Sequence, residues 1–330
     1  MKTRYHVVGL GNAIMDVIAP VPDALLTRFG MDKGTMALID QERALTLDGA
    51  LRESGKAVRL AGGSAANTMV GLAELGLDAA YIGKVGRDET GRDLARGYAD
   101  AGVHFSTSPT DSGTASARSM IAVTPDGERT MNTFLGASVE FDRSDVDDAV
   151  VRAGETLYLE GYLFDAEPAK RAFVHAAEVA RAAGRQVALT LSDPFCVTRH
   201  RDSFAQLVST QCDLVFANLE EIKTLAGADT LDAALDAVER PGLAICVTRG
   251  ELGSVISDGQ RRYHVPAAPV SQVVDTTGAG DQYAAGVLAG RALGLGWEDA
   301  GYLGSVAAAE VIGHYGPRPE TPVHEVALSL

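Results

Sequence analysis

Cysteine, tryptophan and positive charge are all in short supply in this 330-residue chain. The three cysteines, Cys196, Cys212 and Cys246, are odd in number and widely spaced, with no CxxC pair and no histidine-rich neighbour. That pattern argues against a disulfide framework and against a zinc site. Each cysteine is expected to pack as a small apolar residue. The seven histidines form no pair at metal-ligand spacing. Lys and Arg number 29 against 44 Asp and Glu, for a formal net charge of −15. The basic residues are scattered, so the footprint that a nucleic-acid binder needs is missing. No apolar run approaches the length of a membrane span, and Met1–Ala19 carries Asp16 inside its only apolar stretch. A cytoplasmic protein acting on small molecules is expected. Any phosphate it handles must meet local positive potential, such as a helix N-terminus or a metal, because the net charge is repulsive.

Glycine, in contrast, is plentiful at 36 residues, and much of it separates short β-rich runs from amphipathic stretches. The runs are Tyr5–Gly9, Ala80–Gly83, Thr156–Glu160, Val187–Leu191, Leu214–Ala217 and Ala244–Thr248. Helical patterns lie between most of them, at Ala65–Leu75, Glu89–Ala101, Pro168–Ala183 and Leu231–Val238. Strands alternating with helices predict an α/β fold with a mostly parallel sheet flanked by helices. Residues from about 13 to 40 and from about 109 to 137 break this rhythm with β-prone alternation and no long helix. Within them, Ala115–Thr124 and Arg129–Leu135 flank Pro125-Asp126-Gly127-Glu128 and read as a β-hairpin. These two regions are expected to form a small β lid inserted into one domain spanning residues 1–330. No repeat, linker or low-complexity segment divides the chain.

The most informative string is Asp275-Thr276-Thr277-Gly278-Ala279-Gly280-Asp281, followed by an amphipathic helix from Gln282 to Leu293. Gly278 and Gly280 leave the backbone uncovered where the helix begins, so several N–H groups can face an anion. Ala279 keeps the loop small. Phosphoryl transfer spreads charge over the γ-phosphate oxygens, and stabilising that charge is most of the catalytic task. Asp281, in the first turn, stands where it could accept the proton of an attacking hydroxyl. With an ordinary carboxylate pKa of about 3.9 it is a weak base, which suffices where bond breaking leads proton transfer.

Asp275–Asp281 resembles the C-terminal signature of the ribokinase-like sugar and nucleoside kinases. The resemblance implies that fold, with Asp281 as the base and the Gly278–Gly280 amides as an anion hole. It also implies ATP and Mg²⁺, and permits a monovalent cation such as K⁺ near the Asp275 loop. A Walker A loop is absent. Ala61-Gly62-Gly63-Ser64-Ala65-Ala66-Asn67 opens a helix for which Ser64 is a plausible N-cap. This stretch is similar to the family's N-terminal Gly-Gly-x-x-x-Asn signature, which places Gly63, Ser64 and Asn67 at substrate hydroxyls. Asn12 and Asp16 flank the end of the first strand, where open α/β sheets bind ligands, and a carboxylate there can accept two ribose hydroxyls. The resemblance gives both residues sugar contacts. Gly9-Leu10-Gly11 is not a dinucleotide fingerprint, since Ile14 stands in place of the third glycine.

Asn218 and Glu221 share a helix face after Leu214–Ala217. They could hold Mg²⁺ through water, and a capping Asn before an acidic first turn explains the same pair. Their match to the family's Asn-x-x-Glu motif favours a role for Glu221 toward the metal. Thr248-Arg249-Gly250-Glu251-Leu252-Gly253 resembles the family's nucleotide loop, assigning Thr248, Gly250 and Gly253, together with Asp275 and Thr276, to ATP. Asp23–Asp40 and Leu189–Phe195 are similar to the adenosine kinase branch. That similarity implies apolar contacts to a purine from Leu38 and Met36, and charge from Arg129 near the phosphates. Phe134 or Phe164 are candidates to stack on the base. Asp193 departs from that branch, which often has a neutral residue there, and the lid aligns loosely. The expected substrate is adenosine, phosphorylated at its 5′-hydroxyl. The alternatives are ribose, fructose or a keto-deoxy sugar acid, or a non-catalytic ligand sensor on the same fold. The expected assembly is a monomer or a homodimer.

Overall fold

The computed structural model describes residues 3–53 and 55–321. In chain order the strands are β1 (Tyr5–Leu10), β2 (Ile14–Pro20), β3 (Met36–Leu38), β4 (Val58–Gly62), β5 (Ala79–Ile82), β6 (His104–Phe105) and β7 (Ala117–Val123). The second half adds β8 (Arg129–Phe134), β9 (Gly154–Glu160), β10 (Gln186–Thr190), β11 (Leu214–Asn218), β12 (Ala244–Thr248), β13 (Ser254–Ser257) and β14 (Arg262–Val265). Nine of them form one sheet in the order β14-β13-β12-β11-β10-β9-β1-β5-β6. It is parallel from β12 to β6, and β13 and β14 close its edge antiparallel. Every strand and helix expected from the pattern is present.

The central strands are apolar on both sides because helices cover both faces. Val7, Tyr158 and Ala188 point into one apolar layer, and Val8, Leu157, Leu159, Val187 and Leu189 point into the other. The first layer is completed by the helices Ser64–Glu74, Ala279–Ala292 and Trp297–Val311. Glu167–Ala182, Pro194–Thr210, Leu219–Ala226 and Leu231–Val238 complete the second. The three cysteines are buried and free, packed as small apolar side chains.

The remaining five strands form a small separate sheet, β3-β8-β7-β2-β4. Its centre is the expected hairpin: β7 and β8 pair antiparallel, and Gly127 turns the chain at φ 83°. Period-two alternation divides the sheet's faces. Met15, Val17, Met120 and Ala122 enter the core, whereas Asp16, Ser119, Ile121, Arg129, Met131 and Leu38 line a cleft over the large sheet. One strand of this sheet lies outside both regions expected to build it. β4 (Val58–Gly62) pairs antiparallel with β2 and continues directly into the Gly63 turn, so the lid and the substrate side of the large sheet share a strand end.

Small residues set how closely the helices approach. A Cβ on Gly286 would lie 2.6 Å from the Gly304 Cα, so the Ala279–Ala292 and Trp297–Val311 helices meet backbone to backbone there. Gly286→Val is expected to force them apart and to lower stability by about 1–3 kcal/mol, the usual range for overpacking a tight core. Urea unfolding checks this; a midpoint equal to wild type would mean the contact yields without cost.

Candidate active site

The C-terminal ends of the parallel strands open into one cleft of about 520 Å³. Asn12, Glu160, Thr190, Asn218 and Thr248, the residues at or just beyond the ends of β1, β9, β10, β11 and β12, all line it. This is where open α/β sheets expose strand-end backbone and helix N-termini to a ligand. Asp16, Leu38 and Arg129 come from the small sheet, and Gly63, Ser64, Asn67, Thr276, Gly278, Gly280 and Asp281 from the two helix starts.

Those two starts face each other across Asp281. The Ala279–Ala292 helix begins at an N-cap glycine, Gly278, in the left-handed region at φ 77°, and Asp281 is its third residue. The helix therefore starts three residues before the Gln282 expected from the pattern. Ser64 Oγ donates to Asp281 Oδ1 at 2.6 Å and Asn67 Nδ2 to Oδ2 at 3.1 Å. Ser64 is thus not the N-cap it was expected to be. Gly63 caps that helix at φ 99°, and a Cβ there would lie 2.1 Å from the Asn12 carbonyl oxygen. The tight approach reserves that position for glycine and leaves the Ser64 hydroxyl free to reach Asp281.

Burial pushes the Asp281 carboxyl up to about 6, against the pull of its Ser64 and Asn67 hydrogen bonds. The weak base expected from an ordinary aspartate is therefore a considerably better one in the fold. Ala279 spends its N–H on the Thr276 carbonyl at 3.3 Å, so among the three motif amides it is turned into the loop. Gly278 and Gly280 line the cleft, and a Cβ on Gly280 would meet nothing within 4 Å. An anion thus has open space against the first helical turn, where N–H groups lack helical partners.

Asp275 is buried and braces this loop. Its carboxylate accepts from the Thr277 N–H at 2.9 Å and the Gly316 N–H at 3.0 Å, and pairs with Arg129 Nε at 3.2 Å. Arg129 also donates to the Thr277 hydroxyl. The lid arginine therefore already touches the anion loop.

Asn12 is held by Glu160, a residue no sequence motif flagged. Glu160 Oε1 accepts from Asn12 Nδ2 at 2.9 Å and from its N–H at 3.2 Å, and Oε2 accepts from the Ala65 N–H at 2.8 Å. Burial lifts Glu160 to about 7 despite these bonds. The only trace of it in the sequence is a lone carboxylate ending an apolar strand, Thr156-Leu-Tyr-Leu-Glu160. Asp16 is likewise lifted to about 7 by burial, with Arg318 pulling down and Asp281 pushing up. Tyr162, Ser192, Asp165 and Arg199 also line the cleft unannounced. Ser192, at φ 73°, is the one non-glycine at positive φ among the described residues. Its carbonyl accepts from the Tyr162 hydroxyl at 3.2 Å.

Asn218 and Glu221 form a reciprocal capping box. Asn218 Oδ1 accepts from the Glu221 N–H at 2.9 Å, and Glu221 accepts from the Asn218 N–H at 2.9 Å and from Nδ2 at 2.6 Å. The capping explanation of this pair is realised, and both side chains also reach the cleft. Thr248 lines the cleft, but Gly250 and Gly253 lie in a short turn beyond it. Phe164 is buried against Phe173 and Phe204, and Phe134 packs on the core rather than the cleft. Asp193 N-caps the Pro194–Thr210 helix through the Cys196 N–H at 2.6 Å.

This fold and cleft define a ribokinase-like phosphotransferase with an alcohol group as acceptor. Residues 33–323 match the pfkB family of carbohydrate kinases, and the chain belongs to that family. Among similar proteins, a fructokinase from Klebsiella pneumoniae is 30% identical over 244 residues, 72% of this chain and 79% of its own. Adenosine kinase from Saccharomyces cerevisiae is 28% identical over 330 residues, covering 94% and 95%. Among solved structures, adenosine kinase from Sinorhizobium meliloti is 46% identical with a TM-score of 0.91, covering 99% of both chains. A probable sugar kinase from Rhizobium etli is 43% identical at the same TM-score, covering 99% and 98%.

Asp16 accepts no hydrogen bond from the described residues, so its buried charge is a cost that a neutral isostere removes. Its raised folded pKa means this cost is absent below the unfolded value near ~4 and complete above about 7. Asp16→Asn is therefore expected to raise the melting temperature at pH 8 and to lose that advantage toward pH 4. Thermal melts across that range check the sign; equal gains at both ends would mean that Asp16 is not destabilised by its charge.

Proposed function

We propose that the protein is a nucleoside kinase that transfers the γ-phosphoryl group of ATP to the 5′-hydroxyl of adenosine. The observation that carries this reading is Asp281, lifted to about 6 and held by Ser64 and Asn67 beside the open Gly278–Gly280 helix start. Asn12, Asp16, Gly63 and Asn67 offer a polar floor suited to a ribose. Above it the lid presents an apolar ceiling, including Met36 at 43% and Leu38 at 57% exposure. A flat base would cover that ceiling, whereas a bare sugar would leave it wet. The 46% identity to an adenosine kinase over the full chain supports the same choice.

In the proposed reaction Asp281 accepts the proton of the 5′-hydroxyl as its oxygen bonds to the γ-phosphorus. The bond from that phosphorus to the β–γ bridging oxygen breaks, giving AMP and ADP. The helix start meets the charge on the transferring group, and Arg129 is placed to add a guanidinium from the lid. Thr248, Thr276 and Asn218 line the side of the cleft assigned to the nucleotide. No group of three His, Cys, Asp or Glu able to cage a metal occurs among the described residues. Magnesium would be held by the nucleotide phosphates with Glu221 placed to reach it through water, and it would neutralise phosphate charge there. Asp275 Oδ1 accepts from Thr277 and pairs with Arg129, while Oδ2 accepts from Gly316 alone, so the loop could still offer an oxygen to a monovalent cation such as K⁺. No described helix is long and apolar enough to cross a membrane, and the proposed setting is the cytoplasm, where ATP is supplied.

A sugar kinase is the second reading, favoured by the 30% identity to a fructokinase over 72% of the chain. Turnover of adenosine, ribose, fructose and guanosine with Mg·ATP separates the two. Adenosine is expected to be preferred, and Asp281→Asn to lower kcat by about 10²–10⁴. The acid limb of the kcat profile is expected to fall as pH drops through about 6, where Asp281 gains its proton. Preference for a free sugar would sink the nucleoside assignment; an Asp281→Asn enzyme with full activity would sink the base.

A further inference from the structure

The segment Gly316-Pro317-Arg318 spans the two halves of the site. Gly316 donates its N–H to Asp275, and the Pro317 carbonyl accepts from Gln282 Nε2 at 3.0 Å. A Cβ on Gly278 would lie 2.6 Å from Pro317, so the segment runs directly against the cap of the anion-site helix. One residue later the chain reaches the substrate side. Arg318 donates from Nη2 to the Ala61 carbonyl, and its guanidinium carbon lies 6.0 Å from the Tyr98 ring centroid. The Tyr98 hydroxyl in turn donates to the Gly62 carbonyl at 2.9 Å. Ala61 and Gly62 end β4 and lead into the Gly63 turn. Gly62 also presses on Asp16: a Cβ there would lie 2.0 Å from Asp16 Oδ2.

We propose that Arg318 is a positioning residue for nucleoside binding, holding the Ala61–Gly63 turn and supplying the positive charge that keeps Asp16 ready to accept substrate hydroxyls. The inference rests on the nucleoside kinase reading for its ligand, and its test is separable from that reading.

Arg318 is poorly used as a structural arginine. Arg262, by comparison, pairs with Asp232, Asp236 and Glu239. Arg318 has no ion pair within 4.0 Å among the described residues, its Nε is buried without a partner, and burial lowers its pKa. Desolvating a cation for one carbonyl bond is unfavourable unless its field acts elsewhere. The groups that bear on Asp16 are Arg318 from the C-terminal segment, Asp281 from the anion-site helix, Arg129 from β8 and Asp275 from the loop. Tyr98 lies beside Arg318 and feels the charges of both Arg318 and Asp16. Of the two cations Arg318 acts more strongly on Asp16, and Arg129 is in addition paired with Asp275 and bonded to Thr277.

The test is calorimetric binding of adenosine, without ATP, to wild type, Arg318→Met and Arg318→Lys between pH 5.5 and 9. Wild-type binding is expected to weaken as pH falls through about 7, as Asp16 protonates. Arg318→Met raises the Asp16 pKa further, so the loss begins at higher pH. Affinity on the acid side of the midpoint then falls by up to about tenfold when the midpoint rises by about one pH unit. Arg318→Lys keeps the charge and returns the midpoint toward wild type, and KM for ATP stays within about twofold in both variants. An unmoved midpoint in Arg318→Met overturns the inference. So does a parallel rise in the adenosine Kd and the ATP KM at an unchanged midpoint, which marks a merely structural role. If wild type binds ribose or fructose instead of adenosine, the adenosine reading falls, and the same three proteins measured with that sugar still decide the role of Arg318.

Discussion

Two hydrogen bonds, from Ser64 and Asn67 to Asp281, join parts of the chain 217 and 214 residues apart, and the site is organised around them. Each donor sits at the start of one helix and the acceptor at the start of another. Both helix N-termini carry partial positive charge, so bringing them together is repulsive unless an anion lies between them. Asp281 is that anion. The approach also requires small side chains: a Cβ on Gly71 would lie 2.1 Å from Gln282 Oε1 and 2.8 Å from the Ala285 Cβ. Packing, dipoles and the carboxylate therefore depend on one another, and the proposed base is also the joint of the structure.

The consequence is a crowd of acids in little water. Asp16, Glu160, Glu221 and Asp281 are all pushed up by burial, to between about 6 and about 7. Their partners assign them different work. Glu160 accepts three N–H donors and fixes Asn12 and Ala65, while Glu221 accepts two from Asn218 and also faces the cleft. Asp281 has two donors and keeps its opening toward the cleft. Asp16 accepts none, which leaves its lone pairs for a ligand. Desolvation that costs stability thus prepares acceptors that need no reorganisation when a substrate arrives.

The alternating strand and helix pattern makes the large sheet legible, because burial on both faces leaves continuous apolar runs at Val187–Leu189 and Leu214–Ala217. The Asp275–Asp281 string locates the anion site for the same kind of reason: its glycines answer a local backbone demand that sequence displays. Glu160 is not legible, since a single carboxylate after a strand acquires meaning only when β9 is placed beside β1. Ser64 misleads because a serine at a helix start is normally a cap, and only the Gly63 approach to the Asn12 carbonyl moves it inward. β4 escapes notice because Val58-Arg-Leu-Ala-Gly62 is short and mixed, as suits the edge of a small sheet. Arg318 lies beyond every motif, and its neighbours Ala61 and Asp16 come from the other end of the chain.

If the cleft takes ATP as proposed, the contact between Arg129 and Asp275 gives it a way to pass from empty to loaded without coming apart. Arg129 sits on the lid and Asp275 in the loop that shapes the anion site, so the ion pair draws the two together before any phosphate is present. A phosphate competes for the same guanidinium and offers more negative charge than one carboxylate. Asp275 does not depend on Arg129 for its geometry, since the Thr277 and Gly316 N–H groups hold its two oxygens separately. The loop therefore keeps its shape when Arg129 turns to the ligand. In the proposed reaction the lid arginine would be exchanged between two anions while the helix starts stay fixed, and that fixity would let a cleft with so few cations bind a polyanion.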